Sequence, residues 1–181
     1  MGIPLRVLIA EDSDDDAKLV LRALRKGDFD IEYERVASGN DLKKALDRQE
    51  WQIVVSDYRM PGFTGMDALR IVRDRGLEIP FILVSGTIGE EIAVDAISAG
   101  ASDYLMKDRL TRLLPAVVRA LREQKIHNER KLAESALHES ENIFHHFMEN
   151  SPIYIFFKDE NIRSVRLSRN FEEMLGKPMK D

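Results

Sequence analysis

The sequence predicts an α/β fold: a doubly wound domain on a five-stranded parallel sheet, followed by a long helix and a small α+β segment. Three observations carry this. Through residue 108, short apolar and β-branched runs alternate with stretches whose apolar residues recur at spacings of three and four. A helical pattern without an internal glycine then runs from residue 110 to 148. Beyond residue 150, short strand-like runs return around turn-forming residues.

The strand-like runs occupy residues 5–10, 31–36, 51–56, 81–85 and 103–106. Between them, Leu19, Leu21 and Leu24 mark a first helix, and Leu42, Ala45 and Leu46 a second. Met66, Leu69 and Val72 mark a third, and Ile92, Ala96 and Ile97 a fourth. Gly27, Gly76 and Gly100 fall where helix C-caps are expected, and Pro80 opens a strand. Strands alternating with helices imply right-handed βαβ units and a parallel sheet covered on both faces. In the long helix, Pro115 lies near enough to the start to be tolerated. Leu114, Val118 and Leu121 form one apolar stripe, and Ala133, Leu137, Ile143, Phe144 and Phe147 a second, with the polar segment 122–130 between them. The stripes do not share a heptad register. A solvated connector helix and a parallel coiled-coil dimer both fit this pattern.

Composition sets outer bounds. The 181 residues are 44% hydrophobic and 33% charged with a net charge of -5, so the class is soluble and globular. The acidic balance argues against non-specific binding to nucleic acid or anionic lipid. Cysteine is absent, which excludes disulfides and thiolate metal sites. No apolar run approaches the roughly 18 residues of a membrane span, and no targeting signal is evident, so a cytoplasmic setting is expected.

The chemistry concentrates at strand ends. In an open parallel sheet, ligands bind beyond the carboxyl ends of the strands. Here the first strand ends in Glu11-Asp12, the third reaches Asp57, the fourth ends in Ser85 and the fifth runs into Lys107. Three carboxylates, a hydroxyl and a lysine converge on one small volume. Crowded acids repel one another, and a hard divalent cation such as Mg²⁺ relieves that repulsion. An oxygen nucleophile, a metal and fixed donors are what phosphoryl transfer requires, and the Asp57 carboxylate can be the nucleophile. The neighbouring Asp14, Asp15 and Asp16 are expected only to favour the positive end of the first helix. An EF-hand is excluded, because its Gly and Glu positions hold Ala17 and Ala23. His127, His138, His145 and His146 are read as surface residues.

The segments LIAEDSDDD, VVSDYRMPGFTGMD, PFILVSGT and AGASDYLMKD resemble the hallmark segments of response-regulator receiver domains, in order and at family spacing. The resemblance implies the flavodoxin-like strand order 2-1-3-4-5. It implies that Asp57 is the phosphoacceptor, that Asp12 ligates Mg²⁺ directly, that Glu11 acts on the metal through water, and that the Arg59 carbonyl is a further ligand. Ser85 would hydrogen-bond the phosphoryl group, Lys107 would pair with it, and Tyr104 matches the aromatic switch that moves with Ser85. Two positions depart from the family pattern: Asp108 stands where proline usually follows the lysine, and Ser85 replaces the commoner threonine.

Residues 139–176 resemble the opening of a PAS sensory domain, through Glu139-Ser140-Glu141, Asn150-Ser151-Pro152, Lys158-Asp159 and Met174-Leu175-Gly176. The expected division is thus a receiver over 1–124, a signalling helix over 125–148, and the start of a PAS domain over 149–181. The function expected is two-component phosphorelay. A sensor histidine kinase or phosphotransfer protein would donate to Asp57, and a homodimer would form through the long helix. No nucleic-acid partner is evident. Histidine kinase and diguanylate cyclase are the expected outputs of a longer parent, by analogy alone. The rival reading is a non-catalytic dimerisation scaffold. A related Mg²⁺-dependent phosphatase fits less well, since such enzymes need a second acid where Arg59 stands.

Overall fold

A computed structural model describes residues 2–86 and 89–176. The last five residues of the expected PAS segment, and Thr87 of the motif around Ser85, lie outside that range. The chain divides into two compact units, Met1–His127 and Asn128–Asp181.

In the first unit the chain runs β1 (Ile3–Ala10), α1 (Asp14–Leu24), β2 (Phe29–Val36), α2 (Gly39–Arg48) and β3 (Ile53–Asp57). A two-residue ribbon pairs Arg59–Met60 with Phe63–Thr64. Then come α3 (Gly65–Asp74), β4 (Phe81–Ser85), α4 (Glu90–Ser98), β5 (Asp103–Met106) and a 3-10 stretch (Lys107–Arg112). The five strands form one parallel sheet in the order β2-β1-β3-β4-β5, as the family resemblance implied.

The alternation of side chains along each strand divides the core in two. Val7, Ile9, Ile53, Val55, Ile82 and Val84 face α1 and the start of the last helix. Leu8, Val54, Phe81 and Leu83 face α2, α3 and α4 through Leu42, Leu69, Val72 and Ala96. Every residue of β3 and β4 is buried, as expected of central strands with helices on both faces.

Polar side chains start the helices. Ser13, Ser38 and Thr64 each accept a backbone N–H three residues on, and Thr64 with Asp67 completes a capping box. Two ends follow the expected glycine logic. Gly76 (φ +69°) and Gly100 (φ +96°) are left-handed, with Leu77 N–H to the Val72 carbonyl and Ala101 N–H to the Ala96 carbonyl. Gly27 does not: α1 closes on Arg25 in the right-handed region. A Cβ there would lie 2.7 Å from Leu114 Cδ1, the end of a half-buried side chain that can shift to make room.

The last helix, α5 (Leu113–Asn150), starts three residues later than the sequence pattern suggests, because residues 107–112 take a 3-10 path broken at Arg109 (φ -119°, ψ 35°). Its buried face also differs from the expected stripe. Leu113, Ala116, Val117 and Ala120 are buried, while Val118 is exposed. All four histidines are exposed, as read from the sequence.

The second unit holds the end of α5, a hairpin of β6 (Phe156–Lys158) with β7 (Ser164–Leu167), and the short helix α6 (Asn170–Leu175). Both strands start later than expected. Ahead of β6, the N–H of Ile155 is taken by the Ser168 side chain at 2.9 Å. Ahead of β7, Asp159 Oδ1 accepts the N–H groups of Asn161 and Arg163, which leaves Ile162 in the turn at φ 65°. The second stripe of α5 is largely uncovered within this unit, with Leu137, Ile143 and Phe147 exposed and Met148 buried.

Candidate functional site

The sheet register brings the expected residues to one edge. Ala10 pairs with Ser56, Asp57 with Val84, and Ser85 with Met106, so the strands end level with one another. Glu11 continues the β1 ladder by donating its N–H to the Val36 carbonyl. Its side chain and that of Asp57 are buried, and Asp12 is exposed. One carboxylate oxygen from each of Glu11, Asp12 and Asp57 falls within 4.8 Å of the other two.

Lys107, the first residue after β5, reaches into this group. Its Nζ lies 3.3 Å from Asp57 Oδ1, 3.0 Å from Glu11 Oε2 and 2.5 Å from Asp16 Oδ2. Asp57 is also held by the chain that follows it, because Tyr58 N–H donates to Oδ1 at 2.9 Å and Arg59 N–H donates to the carboxylate as well. Ser85 is buried at the end of β4. Tyr104 is half-buried on β5, packed against the α2–α3–α4 side of the core.

Electrostatics show which charges lack enough compensation. Burial pushes the Asp57 carboxyl above the usual carboxylate range, although Lys107 and the two N–H groups pull the other way. Burial also raises Glu11, and the Asp57 charge adds to this, against hydrogen bonds from Lys107 and the Ser13 N–H. Burial alone would lower Lys107; hydrogen bonds to Asp16 and Glu11, with the Asp57 charge, more than offset it and leave the ammonium raised above its ordinary value. Two buried acids with raised values and a third within reach make an oxygen-donor set that fits a hard divalent cation.

Three further residues belong to the site that sequence reasoning missed. Its place in the acidic run suggests only a role at the helix start, yet Asp16 makes the shortest contact to Lys107. Arg35, near the end of β2, donates from one guanidinium nitrogen to the carbonyls of Glu11 (3.0 Å) and Asp12 (3.1 Å), fixing the acidic turn. Gly65 lets α3 pass against Asp57: a Cβ there would lie 2.5 Å from the Asp57 carbonyl oxygen.

An open parallel sheet with three acids and a lysine at its carboxyl edge defines the class of α/β proteins that bind their ligands there. Comparison narrows this. The family model for the response regulator receiver domain matches residues 7–119, and the chain belongs to that family. It is 36% identical over 130 residues to the C4-dicarboxylate transport transcriptional regulatory protein DctD of Pseudomonas aeruginosa, covering 70% of this chain and 28% of that one. It is 32% identical over 79 residues to the regulatory protein LuxO of Vibrio cholerae, covering 44% of this chain and 17% of LuxO. The chain therefore spans less than a third of either regulator. Among solved structures, the signal receiver domain of a Luxo repressor protein from Vibrio parahaemolyticus superposes with a TM-score of 0.62 at 27% identity, over 70% of this chain and 96% of that one. This is a receiver domain of two-component signalling, which takes a phosphoryl group on an aspartate.

Proposed function

We propose that Asp57 is the phosphoacceptor and that a sensor histidine kinase or a phosphotransfer protein is the donor. One observation carries the assignment: Asp57 ends the central strand β3, joins the three-carboxylate group and lies 3.3 Å from Lys107, whereas Glu11, which shares both contacts, is the more buried acid, its side chain 4% exposed against 8%. Asp12, Asp57 and the Arg59 carbonyl would hold Mg²⁺, with Glu11 acting through water. When bound, Mg²⁺ supplies positive charge for the phosphoryl oxygens. An Asp57 carboxylate oxygen forms the new bond to phosphorus as the donor's bond to phosphorus breaks. Lys107 pairs with one phosphoryl oxygen, and the Ser85 hydroxyl donates to another. Tyr104, on the neighbouring strand, follows Ser85 inward.

The signal then passes along α5. Residues 149–181 are read as the start of a PAS domain, and the exposed apolar residues Leu137, Ile143 and Phe147 support a homodimer through that helix. A cytoplasmic setting is proposed from the receiver family; among the described residues no helix is long and apolar enough to cross a membrane.

The test is intact-protein mass after incubation with acetyl phosphate and Mg²⁺. A gain of one phosphoryl group that disappears in Asp57→Asn is expected. No adduct in the wild type would refute the assignment and leave the scaffold reading. Light scattering with and without beryllofluoride tests the dimer, and a monomer under both conditions refutes it.

A further inference from the structure

We propose that Asp16 is a positioning residue for this chemistry: it holds the Lys107 ammonium in the unphosphorylated domain and competes for it with the phosphoryl oxygens. The proposal rests on the reading of Asp57 as phosphoacceptor.

An ammonium has three N–H donors. In the structure three carboxylates take them, from Asp16 at 2.5 Å, Glu11 at 3.0 Å and Asp57 at 3.3 Å. A phosphoryl group on Asp57 removes that carboxylate's charge and frees the contact it made, but it brings several anionic oxygens, so Lys107 must release a second partner to engage more than one of them. Burial decides which one. The side chain of Glu11 is 4% exposed, that of Asp57 8%, and that of Asp16 36%. Releasing Glu11 would strand a charge out of water, which is costly. Asp16 sits at the rim, where water takes over its hydrogen bond. It is therefore the exchangeable partner.

The other acids of the run do not share this role. Asp14 and Asp15 pair with Lys18, at 2.6 and 3.3 Å, on the outer side of α1. Capping of the helix does not need the Asp16 carboxylate either, because the cap uses the Asp16 backbone N–H and the Ser13 hydroxyl. The Asp16 side chain is left to act through Lys107. It sets how readily the lysine is surrendered to a phosphoryl group.

A double-mutant cycle tests this, with beryllofluoride as the probe, saturating Mg²⁺, and calorimetry as the readout. Wild type, Asp16→Asn, Lys107→Met and the double variant are compared, with Asp15→Asn as a control for charge alone. Asp16→Asn is expected to bind beryllofluoride about fivefold more tightly, the size of a half-exposed ion pair. In the Lys107→Met background the same change is expected to alter affinity by less than about twofold. Equal gains in both backgrounds, or an equal gain from Asp15→Asn, would show a general charge effect and overturn the proposal. So would unchanged or weaker binding by Asp16→Asn. Failure of the wild type itself to bind the probe would instead overturn the phosphoacceptor reading on which the proposal stands.

Discussion

Replacing Gly65 by alanine separates two opposing effects of known size. Gly65 is the first residue of α3 and has an ordinary negative-φ backbone, so alanine is allowed there conformationally. On helix propensity alone, Gly→Ala should stabilise by up to about 1 kcal/mol. Space argues the other way. The added Cβ would lie 2.3 Å from Leu83 Cδ2 and 2.5 Å from the Asp57 carbonyl oxygen, each about 1 Å inside ordinary contact at 3.4 Å or more. Leu83 is fully buried, and the carbonyl belongs to the backbone of β3, so neither neighbour has room to retreat. Overpacking of this kind costs roughly 1–3 kcal/mol, and more where backbone must move. The steric cost exceeds the propensity gain, and Gly65→Ala is expected to lose about 1–2 kcal/mol net. Urea unfolding followed by Trp51 fluorescence measures it, since that indole is buried and donates to the Ala45 carbonyl. Acetyl phosphate labelling should slow in parallel, because the strained neighbour is Asp57 itself. A variant as stable as wild type, or more stable, would refute the packing argument.

Other expectations follow from the same geometry. The folded value of the Asp57 carboxyl lies above its unfolded one. As pH rises past the unfolded carboxylate range, the native state therefore holds more protons than the unfolded state, and stability falls. Without metal at neutral pH, Asp57→Asn should be more stable than wild type, the advantage shrinking as pH drops into the carboxylate range. Thermal unfolding in EDTA across that range checks the sign, and a less stable variant at neutral pH contradicts it. Arg35→Met removes the clamp on the Glu11 and Asp12 carbonyls and should weaken Mg²⁺ binding about tenfold by calorimetry, as loss of a supporting contact typically does. Unchanged affinity would show that the turn holds itself. Thr64→Ala breaks the capping box beside the site and should cost about 1 kcal/mol in urea unfolding, with no loss meaning that the Asp67 side chain alone supports α3.

The fold was legible because its signals are local. Alternating runs place β1 to β5 within two or three residues of where they lie, and the apolar spacing within each stretch marks four helices. The principal acids and Lys107 were legible for the same reason, since each stands at the end of a strand. What escaped depends on distance in space. Asp16 and Lys107 are 91 residues apart, and their contact requires α1 to present its first turn to the end of β5. The need for glycine at 65 comes from the buried Leu83 and the Asp57 backbone. In each case the neighbour is remote or reached only through the fold. Arg35 sits one residue from the end of an edge strand, where a charged side chain looks like ordinary surface until the Glu11 and Asp12 carbonyls are seen beneath it.

The charge balance of the site explains why these residues are arranged as they are. Three carboxylates, of Glu11, Asp16 and Asp57, contact the ammonium of Lys107, and Asp12 lies beside two of them. The guanidinium of Arg35 contacts the Glu11 and Asp12 carbonyls and pairs with Asp14 at 3.9 Å, not with these carboxylates. A core packed for stability alone would not keep Asp57 and Glu11 ionised under burial, and the rise in both values records that cost. The excess negative charge is what a divalent cation relieves, which ties metal binding to stability through the same groups. Lys107 is shared among three acceptors, so, on the proposed reading of Asp57 as phosphoacceptor, a phosphoryl group there would redistribute its bonds. A site relaxed in its resting state would have nothing to exchange when the phosphoryl group arrives.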